Sequence, residues 1–185
     1  MRKTKGFTLI ECLIAIAVLS ITLTAGFNGL QSLLIKQRVA AYSGQLLQSV
    51  HTARQYAILR SKPVTICASE NGATCVDDWS KGHMIFIDQN SDRVRDEDET
   101  VLNHIHGNQT SDPVSWKSFK AASTLQFLPT GITNHQNGTF TVCGNGTAKY
   151  ARAVIITKMG RPRMSQDTNG DGIDEGADGK PLKCQ

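Results

Sequence analysis

The first 35 residues constrain this chain most, because a basic start is followed by a long, almost uncharged run. Residues 7–35 carry a single charged side chain, Glu11. At about 1.5 Å per residue they would form a helix of roughly 44 Å, longer than the ~30 Å hydrocarbon core of a bilayer. Arg2, Lys3 and Lys5 precede the run without an acid, which predicts a cytoplasmic N-terminus. The run is too long for an ordinary secretory signal and lacks its cleavage site, so we predict a transmembrane helix.

The segment around Glu11 carries the most specific motif of the chain. Residues 5–11 read KGFTLIE, which resembles the class III signal of type IV prepilins and type II secretion pseudopilins. The resemblance implies that a prepilin peptidase cleaves after Gly6 and N-methylates Phe7. It also implies that Glu11 neutralises the N-terminal amine of a neighbouring pilin during assembly, since a buried carboxylate is tolerated when it is paired. A plain membrane anchor with a stray acid is the alternative.

The pattern of apolar residues changes after the first run. From Gln37 to about Ser61 they recur every three or four positions, which predicts an amphipathic helix that continues the first segment. Pro63 ends this helix. Short runs rich in Val, Ile, Thr and Phe follow, bounded by Gly, Asn, Asp or Pro, and predict antiparallel strands and an α+β fold. The predicted strands are PVTIC, GHMIFID, ETVLNHI, TLQFL, GTFTVC and KYARAVIIT.

The order of the later motifs narrows the resemblance. TARQYAILRSKPVTIC, KGHMIFIDQNSDRVRDEDETVL, TLQFLPTGI, GTFTVC and AVIITKMGRPR follow one another as in the GspH/FimT family of minor pilins and pseudopilins. The resemblance implies a pilin-like fold, in which a long N-terminal helix packs on an antiparallel β domain. It also implies location in the bacterial inner membrane with a periplasmic domain, and then in an extracellular pilus. We divide the chain into a leader peptide 1–6, a hydrophobic transmembrane and assembly helix 7–35, and a globular domain 36–185 whose residues 167–185 form an acidic C-terminal tail.

Charge is unevenly distributed along the globular domain. The formal net charge of the whole chain is +4, and loss of the three leader cations would leave 4 − 3 = +1. Residues 68–112 hold ten acids, whereas residues 113–166 hold none. This segregation predicts a positive surface that attracts a polyanion. The cations of the acid-free stretch are Lys117, Lys120, Lys149, Arg152, Lys158, Arg161 and Arg163.

Within that stretch, the sequence GRPR at residues 160–163 gives the most specific indication of a binding site. Gly160 permits a tight turn, and Pro162 stiffens the backbone between Arg161 and Arg163. Two guanidinium groups on a stiff loop suit phosphates, because each donates a bidentate fork. The family resemblance implies double-stranded DNA as the partner, since FimT proteins of natural transformation bind DNA through a G-R-x-R motif. A purely structural Gly-Arg turn is the alternative. Accessory DNA contacts are predicted at Lys149, Arg152, Lys158 and His135.

Five cysteines are present. Cys12 lies in the apolar run and is expected to be inert. Cys67, Cys75, Cys143 and Cys184 fall in the exported part, where an oxidising compartment favours disulfides. Four cysteines allow three pairings: Cys67 with Cys75 would close a short loop, and Cys143 with Cys184 would tie the tail to a strand. Metal binding is the rival interpretation, but no C-x-x-C pair is present.

Two acidic loops have calcium-loop spacing. In DTNGDGIDEGAD, residues 167–178, the candidate calcium ligands are Asp167, Asn169, Asp171 and Asp178. The loop lacks the usual final Glu, so a solvated linker to Cys184 is the alternative and the favoured interpretation. DQNSDRVRDEDE, residues 88–99, has Arg93 where the turn requires Gly, and we interpret it as a solvated connection. We therefore predict no resident cofactor, with calcium as the single candidate.

Enzymatic motifs are missing from the sequence: it contains no nucleophile–His arrangement, phosphate-binding Gly-rich loop or H-E-x-x-H. We predict a non-enzymatic protein. Two functions remain open. One is a minor pilin that captures extracellular double-stranded DNA for natural transformation. The other is a structural minor pilin or type II secretion pseudopilin that primes filament assembly without a DNA role. The partners implied by the resemblance are other pilins, the prepilin peptidase and the inner membrane.

Overall fold

A single long helix dominates the computed structural model, which describes residues 6–107, 112–119 and 123–184, with backbone alone for residues 23–28. Arg2, Lys3, Lys5 and Lys120, all named above, lie outside the described residues. Helix α1 runs from Leu9 to Arg60. Thr8 and Glu11 form a capping box at its start, satisfying backbone N–H groups that have no helical partner. At its end Ser61 adopts a left-handed conformation just before Pro63.

In the part of the chain that the structure describes, eight strands form two antiparallel sheets. The first sheet has the order β3-β2-β1-β5 and the second sheet the order β4-β6-β7-β8. The α+β prediction is therefore confirmed. Two strands were not predicted from the sequence. Strand β4 is short and polar. Strand β8 has three residues and begins at a proline, and this proline is tolerated because β8 lies at a sheet edge. The strands are β1 Val64–Ala68, β2 Gly82–Ile87, β3 Val101–His106, β4 Val114–Ser118, β5 Thr124–Phe127, β6 Gly138–Cys143, β7 Ala151–Ile156 and β8 Pro162–Met164.

The second half of α1 packs on both sheets and builds the core. Its buried residues recur every three or four positions, as the sequence predicted, and they join buried residues of both sheets in one cluster. Trp79 contacts Phe140 edge-on at 4.6 Å between ring centroids, and Trp116 stacks on Phe140 at 4.1 Å. The buried helix positions are Val39, Tyr42, Leu46, Val50, Ala53 and Ala57.

The first half of α1 contributes nothing to this core. Every described side chain from Phe7 to Leu30 is exposed, whereas every buried residue of the described chain lies between Val39 and Leu182. Residues 36–185 therefore contain the whole core and should fold without the first helical half. In the described part of the chain, no helix is apolar enough over a sufficient length to cross a membrane. The segment predicted to cross the membrane, residues 7–35, includes residues 23–28, whose side chains are not described, and its transmembrane role stays a prediction.

Two disulfides cross-link the domain. They confirm the prediction of disulfide bonding and show which cysteines pair. Cys67 pairs with Cys75 in the loop after β1. Cys143, at the end of β6, pairs with Cys184 in the tail, across a sequence separation of 41. Cys12 is free and exposed on α1. The second disulfide folds the C-terminal tail back over the second sheet.

Candidate nucleic-acid interface

The GRPR segment forms the tip and returning strand of the β7–β8 hairpin. The N–H of Gly160 donates to the carbonyl of Thr157 at 2.8 Å, and the N–H of Thr157 donates to the carbonyl of Arg161 at 3.2 Å. Gly160 has a φ of +72°, and a Cβ on it would lie 2.1 Å from the carbonyl oxygen of Gly131. Any other residue would displace the turn. Glycine is therefore required here for conformation and for space.

The hairpin tip is anchored to the helix through the Gly131 loop. Arg54 of α1 donates from Nε to the carbonyl of Gly131 at 2.9 Å. Lys158 accepts a hydrogen bond at its carbonyl from the N–H of Thr133, at 3.2 Å. The turn is thus fixed by the loop after β5, and Arg54 in turn ties that loop to α1. The arginines that follow it project from an ordered backbone.

Arg161 and Arg163 are both exposed, with half-buried Pro162 between them. Arg163 lies within β8, whereas Arg161 directly precedes it at the turn; continued strand alternation would place both side chains on the same face of the second sheet. Arg163 pairs with Ile155 of β7 and therefore shares its face. Within the described residues, neither guanidinium forms an ion pair with a carboxylate. Both are free to contact a polyanion.

The C-terminal tail covers part of this same face. Leu182 of the tail packs on Cys143, Ala151, Ala153 and Ile155, which point away from the helix. We call this side of the second sheet the outer face. Beside the tail, a shallow groove is lined by three lysines together with Thr139, Thr141 and Asp178. The lysines are Lys117, Lys180 and Lys183.

Lys180 and Lys183 were missed by sequence reasoning, which treated the tail as an acidic appendage. The signal for them was the Cys143–Cys184 disulfide, because a tail pinned to the end of β6 must lie along the sheet. Gly176, Ala177 and Gly179 border Arg163, and Gly176 and Ala177 also border the lysine groove. The outer face therefore presents a row of cations from Arg161 to Lys183, interrupted by Asp178.

The predicted accessory residues separate into two groups. Lys158 is exposed at the hairpin tip, next to the arginines. Arg152 pairs with Val142 and so faces the helix side, where its Nε lies 4.0 Å from Oδ2 of Asp174. Lys149 lies near it, with Nζ 5.6 Å from the centre of the Tyr150 ring. Strand alternation thus places Arg152 on the opposite side of the sheet from Arg163.

The acidic loop of residues 167–178 brings together a different set of carboxylates from the predicted one. Asp167 and Asp171 lie with Glu175, each contributing an oxygen within 4.8 Å of the other two. Asp178 is elsewhere, where its Oδ1 accepts from the N–H of Lys180 at 3.2 Å. Oδ1 of Asn169 accepts a hydrogen bond from the N–H of Asp171 at 2.8 Å.

Comparison with known proteins agrees with this architecture. The sequence model described as "Type II transport protein GspH" matches residues 43–160, and the "Prokaryotic N-terminal methylation motif" matches residues 1–27. No curated protein sequence matches the chain. Two crystal forms of the type IV minor pilin FimU from Pseudomonas aeruginosa share the fold. The first is 21% identical with a TM-score of 0.56, over 70% of this chain and 90% of that one. The second is 22% identical with a TM-score of 0.55, over 69% and 92%.

These matches establish the family. Pilins are structural proteins and not enzymes. The methylation motif implies processing by the prepilin peptidase, association with other pilins, and a membrane-anchored precursor that becomes part of a pilus. The chain belongs to the GspH family and has the fold and the N-terminal motif of a type IV minor pilin.

Proposed function

We propose that this minor pilin binds extracellular double-stranded DNA without sequence preference, through the outer face of the second sheet. The observation that carries the proposal is the pair Arg161 and Arg163, exposed, without an ion pair in the described chain, and held on an anchored hairpin. Retraction of the pilus would then draw DNA to the cell for natural transformation. Lys158 at the tip and the groove lysines extend the same positive surface.

Phosphate contacts account for this recognition better than base contacts. The single long helix of the described chain is embedded in the core through its second half, so it cannot enter a major groove. Exposed arginines and lysines neutralise phosphates and release counterions, which gives sequence-tolerant binding that weakens with salt. Because the backbone of the hairpin is already ordered, little conformational entropy is lost on binding.

The experiment is a titration of residues 36–185 with double-stranded DNA of arbitrary sequence. We expect weak binding, in the micromolar range or above. Arg161→Gln/Arg163→Gln should abolish most of it. The matched control is Lys62→Gln/Arg93→Gln, which removes two charges from the side of the first sheet, where Lys62 contacts Gln89. Equal losses in both double variants would show bulk charge effects and contradict the assignment.

A purely structural role is the second candidate, as a priming minor pilin or a type II secretion pseudopilin. It is favoured by Gly160, whose fit against Gly131 is needed for folding whether or not DNA binds. If the wild-type domain shows no DNA binding at low salt, the hairpin is a structural turn and this second function replaces the first. Restoration of binding by Arg161→Lys/Arg163→Lys would instead show that charge is the relevant property.

We also infer that the N-terminal residues act as the family resemblance implies. Gly6 and Phe7 precede α1 and are exposed, so the bond between them is accessible to a peptidase. Glu11 is bound to Thr8 in the isolated chain, its Oε2 accepting from N at 2.9 Å and from Oγ1 at 2.8 Å. In a filament it would accept the amine of a neighbouring subunit. Intact mass after co-expression with the peptidase should show loss of residues 1–6 and gain of one methyl group, whereas an unprocessed mass would contradict this.

A further inference from the structure

Three carboxylates converge in the loop that follows β8. One oxygen from each of Asp167, Asp171 and Glu175 lies within 4.8 Å of the other two. Like charges at such separations repel, and a freely solvated loop would place them apart. In the described part of the chain, none of the three forms an ion pair; the nearest such contact involves Arg152 and the neighbouring Asp174. The cluster therefore lacks a protein cation to balance it.

Glu175 supplies an independent observation. It is only 6% exposed, and its Oε1 is buried with no hydrogen-bond partner. The other oxygen, Oε2, accepts from N and Oγ1 of Thr168, each at 2.7 Å. A buried anionic oxygen without a partner is costly, and such groups in native proteins usually face a bound ion or water. The carboxylate that carries this oxygen is the buried member of the cluster.

The loop backbone is already folded around the cluster. Asp167 accepts from the N–H of Gly170 at 2.7 Å and from the N–H of Gly172 at 2.8 Å. Each carboxylate oxygen has two lone pairs, so these bonds leave acceptor capacity for a cation. We propose that residues 167–175 bind one Ca²⁺ through the carboxylates of Asp167, Asp171 and Glu175. An all-oxygen donor set on an exposed loop suits a hard cation with flexible geometry better than Mg²⁺, which demands a strict octahedron.

The loop lies beside the basic surface, so a bound ion would change the electrostatic potential of that surface. Glu175 and Thr168 border Arg163, and Asp167 borders Lys149 and Arg152 on the other side of the sheet. Binding of Ca²⁺ would offset two of the three negative charges between these cations and raise the local positive potential. Calcium should therefore strengthen DNA binding at constant ionic strength. This consequence rests on the proposed DNA-binding function, whereas the calcium site itself does not.

The test is calorimetric titration of residues 36–185 with CaCl₂ in the absence of DNA, after removal of metals by a chelator. We expect one Ca²⁺ per chain with a Kd on the order of 10⁻⁴–10⁻³ M, as in extracellular calcium modules. Glu175→Gln should weaken binding at least tenfold. The matched control is Asp178→Asn, which removes a carboxylate of the same loop outside the cluster and should leave the Kd within about twofold.

Thermal unfolding provides a second measurement, which also shows whether each variant is folded. Wild type and Asp178→Asn should gain thermal stability with CaCl₂ and much less with MgCl₂ or with NaCl of equal ionic strength, and Glu175→Gln should not. The proposal is overturned by absence of binding to wild type, by an equal response to all three salts, or by unchanged binding in folded Glu175→Gln. Because no DNA is present, these outcomes leave the DNA-binding proposal unaffected.

Discussion

The two sheets use their charged residues in opposite ways. At the end of β2, in the first sheet, Asp88 is fully buried, and its Oδ2 accepts from Oγ1 of Thr65 at 2.7 Å and from Nε2 of Gln126 at 2.5 Å. On the second sheet Arg161 and Arg163 are exposed and make no ion pair with described residues. The acids of the first sheet stabilise the fold, whereas the cations of the second are available to a partner. A run of like charges in a sequence can therefore mark either groups that stabilise the fold or groups that bind a partner, and burial in the structure distinguishes the two.

The two acidic loops, one beside each sheet, repeat this difference. In residues 88–99 the amide of Asn90 donates to Asp92 at 2.9 Å and to Asp96 at 3.0 Å, which satisfies carboxylates that would otherwise repel. Glu99 is buried and accepts from the N–H of Gln89. In residues 167–175 the carboxylates instead converge, and Glu175 keeps an unpartnered oxygen. Each loop thus keeps one buried carboxylate oxygen without a partner, Oδ1 of Asp88 in the first and Oε1 of Glu175 in the second, but among the described residues three carboxylates converge only in the second.

The largest effect is expected from the disulfide of the second sheet. Cys143→Ser/Cys184→Ser opens a loop of sequence separation 41, which should lower the free energy of unfolding by about 4 kcal/mol in the chain-entropy account. It should also release the tail and weaken the DNA affinity. Cys67→Ser/Cys75→Ser opens a loop of separation 8 and should cost roughly 2.5 kcal/mol, with DNA affinity unchanged. Urea unfolding measures the free energy of unfolding of each double variant, and a DNA titration measures its affinity. If the two double variants lowered the DNA affinity equally, a role for the tail in DNA binding would be contradicted.

Asp88→Ala tests the internal use of acids by the first sheet. It leaves the buried donors of Thr65 and Gln126 without an acceptor, so we expect a loss of about 3 kcal/mol in the free energy of unfolding. The control is Asp92→Ala in the same loop, whose exposed carboxylate should cost less than about 1 kcal/mol. Chemical denaturation of both variants decides the matter. A cost for Asp88→Ala no greater than that of the control would remove the contrast between the sheets.

His83, in β2 of the first sheet, should make the stability of the fold depend on pH. Burial, and secondarily the charge of His104, lowers the pKa of His83 to about 4; its Nε2 lies 2.7 Å from Oγ of Ser49. An unfolded His titrates near pH 6.5, so between about pH 6.5 and 4 the unfolded state binds more protons. Stability should therefore fall by about 2 kcal/mol from pH 7 to pH 5.

His83→Gln should remove most of this pH dependence, and His51→Gln, at an exposed position on α1, should retain it. Urea unfolding at pH 5, 6 and 7 provides the comparison. A His83→Gln variant whose stability falls as steeply as that of wild type would show that other groups are responsible.

The helix was predictable from sequence because one side of it is buried, and most strands were predictable because their runs of Val, Ile, Thr and Phe are largely buried. The stripe from Val39 to Ala57 has a helical period, and that period reports the face that packs on the sheets. β4 and β8 were missed because their pairing partners, not their own residues, make them strands. GRPR was recognised as a stiff turn, but its anchoring by Arg54 through Gly131 depends on contacts distant in sequence.

The parts of the site that were missed share one physical reason. Lys180, Lys183 and Glu175 acquire their positions only when the Cys143–Cys184 disulfide places the tail on the outer face. The sequence favoured a solvated linker there, because glycines and acids are typical of one. The calcium-loop motif also named Asp178 as a ligand, whereas the folded loop turns Glu175 inward. Local spacing does not determine which carboxylates meet.

The salt dependence of DNA binding tests the central claim most directly. Association constants of residues 36–185 would be measured across salt concentrations for wild type and for Arg161→Gln/Arg163→Gln. Each lost phosphate contact lowers the magnitude of the slope of log K against log salt by about 0.9, so the double variant should lose roughly 1.8. The same slope in both proteins, or no DNA binding by wild type at low salt, would contradict the assignment of these two arginines as the DNA contacts of this minor pilin.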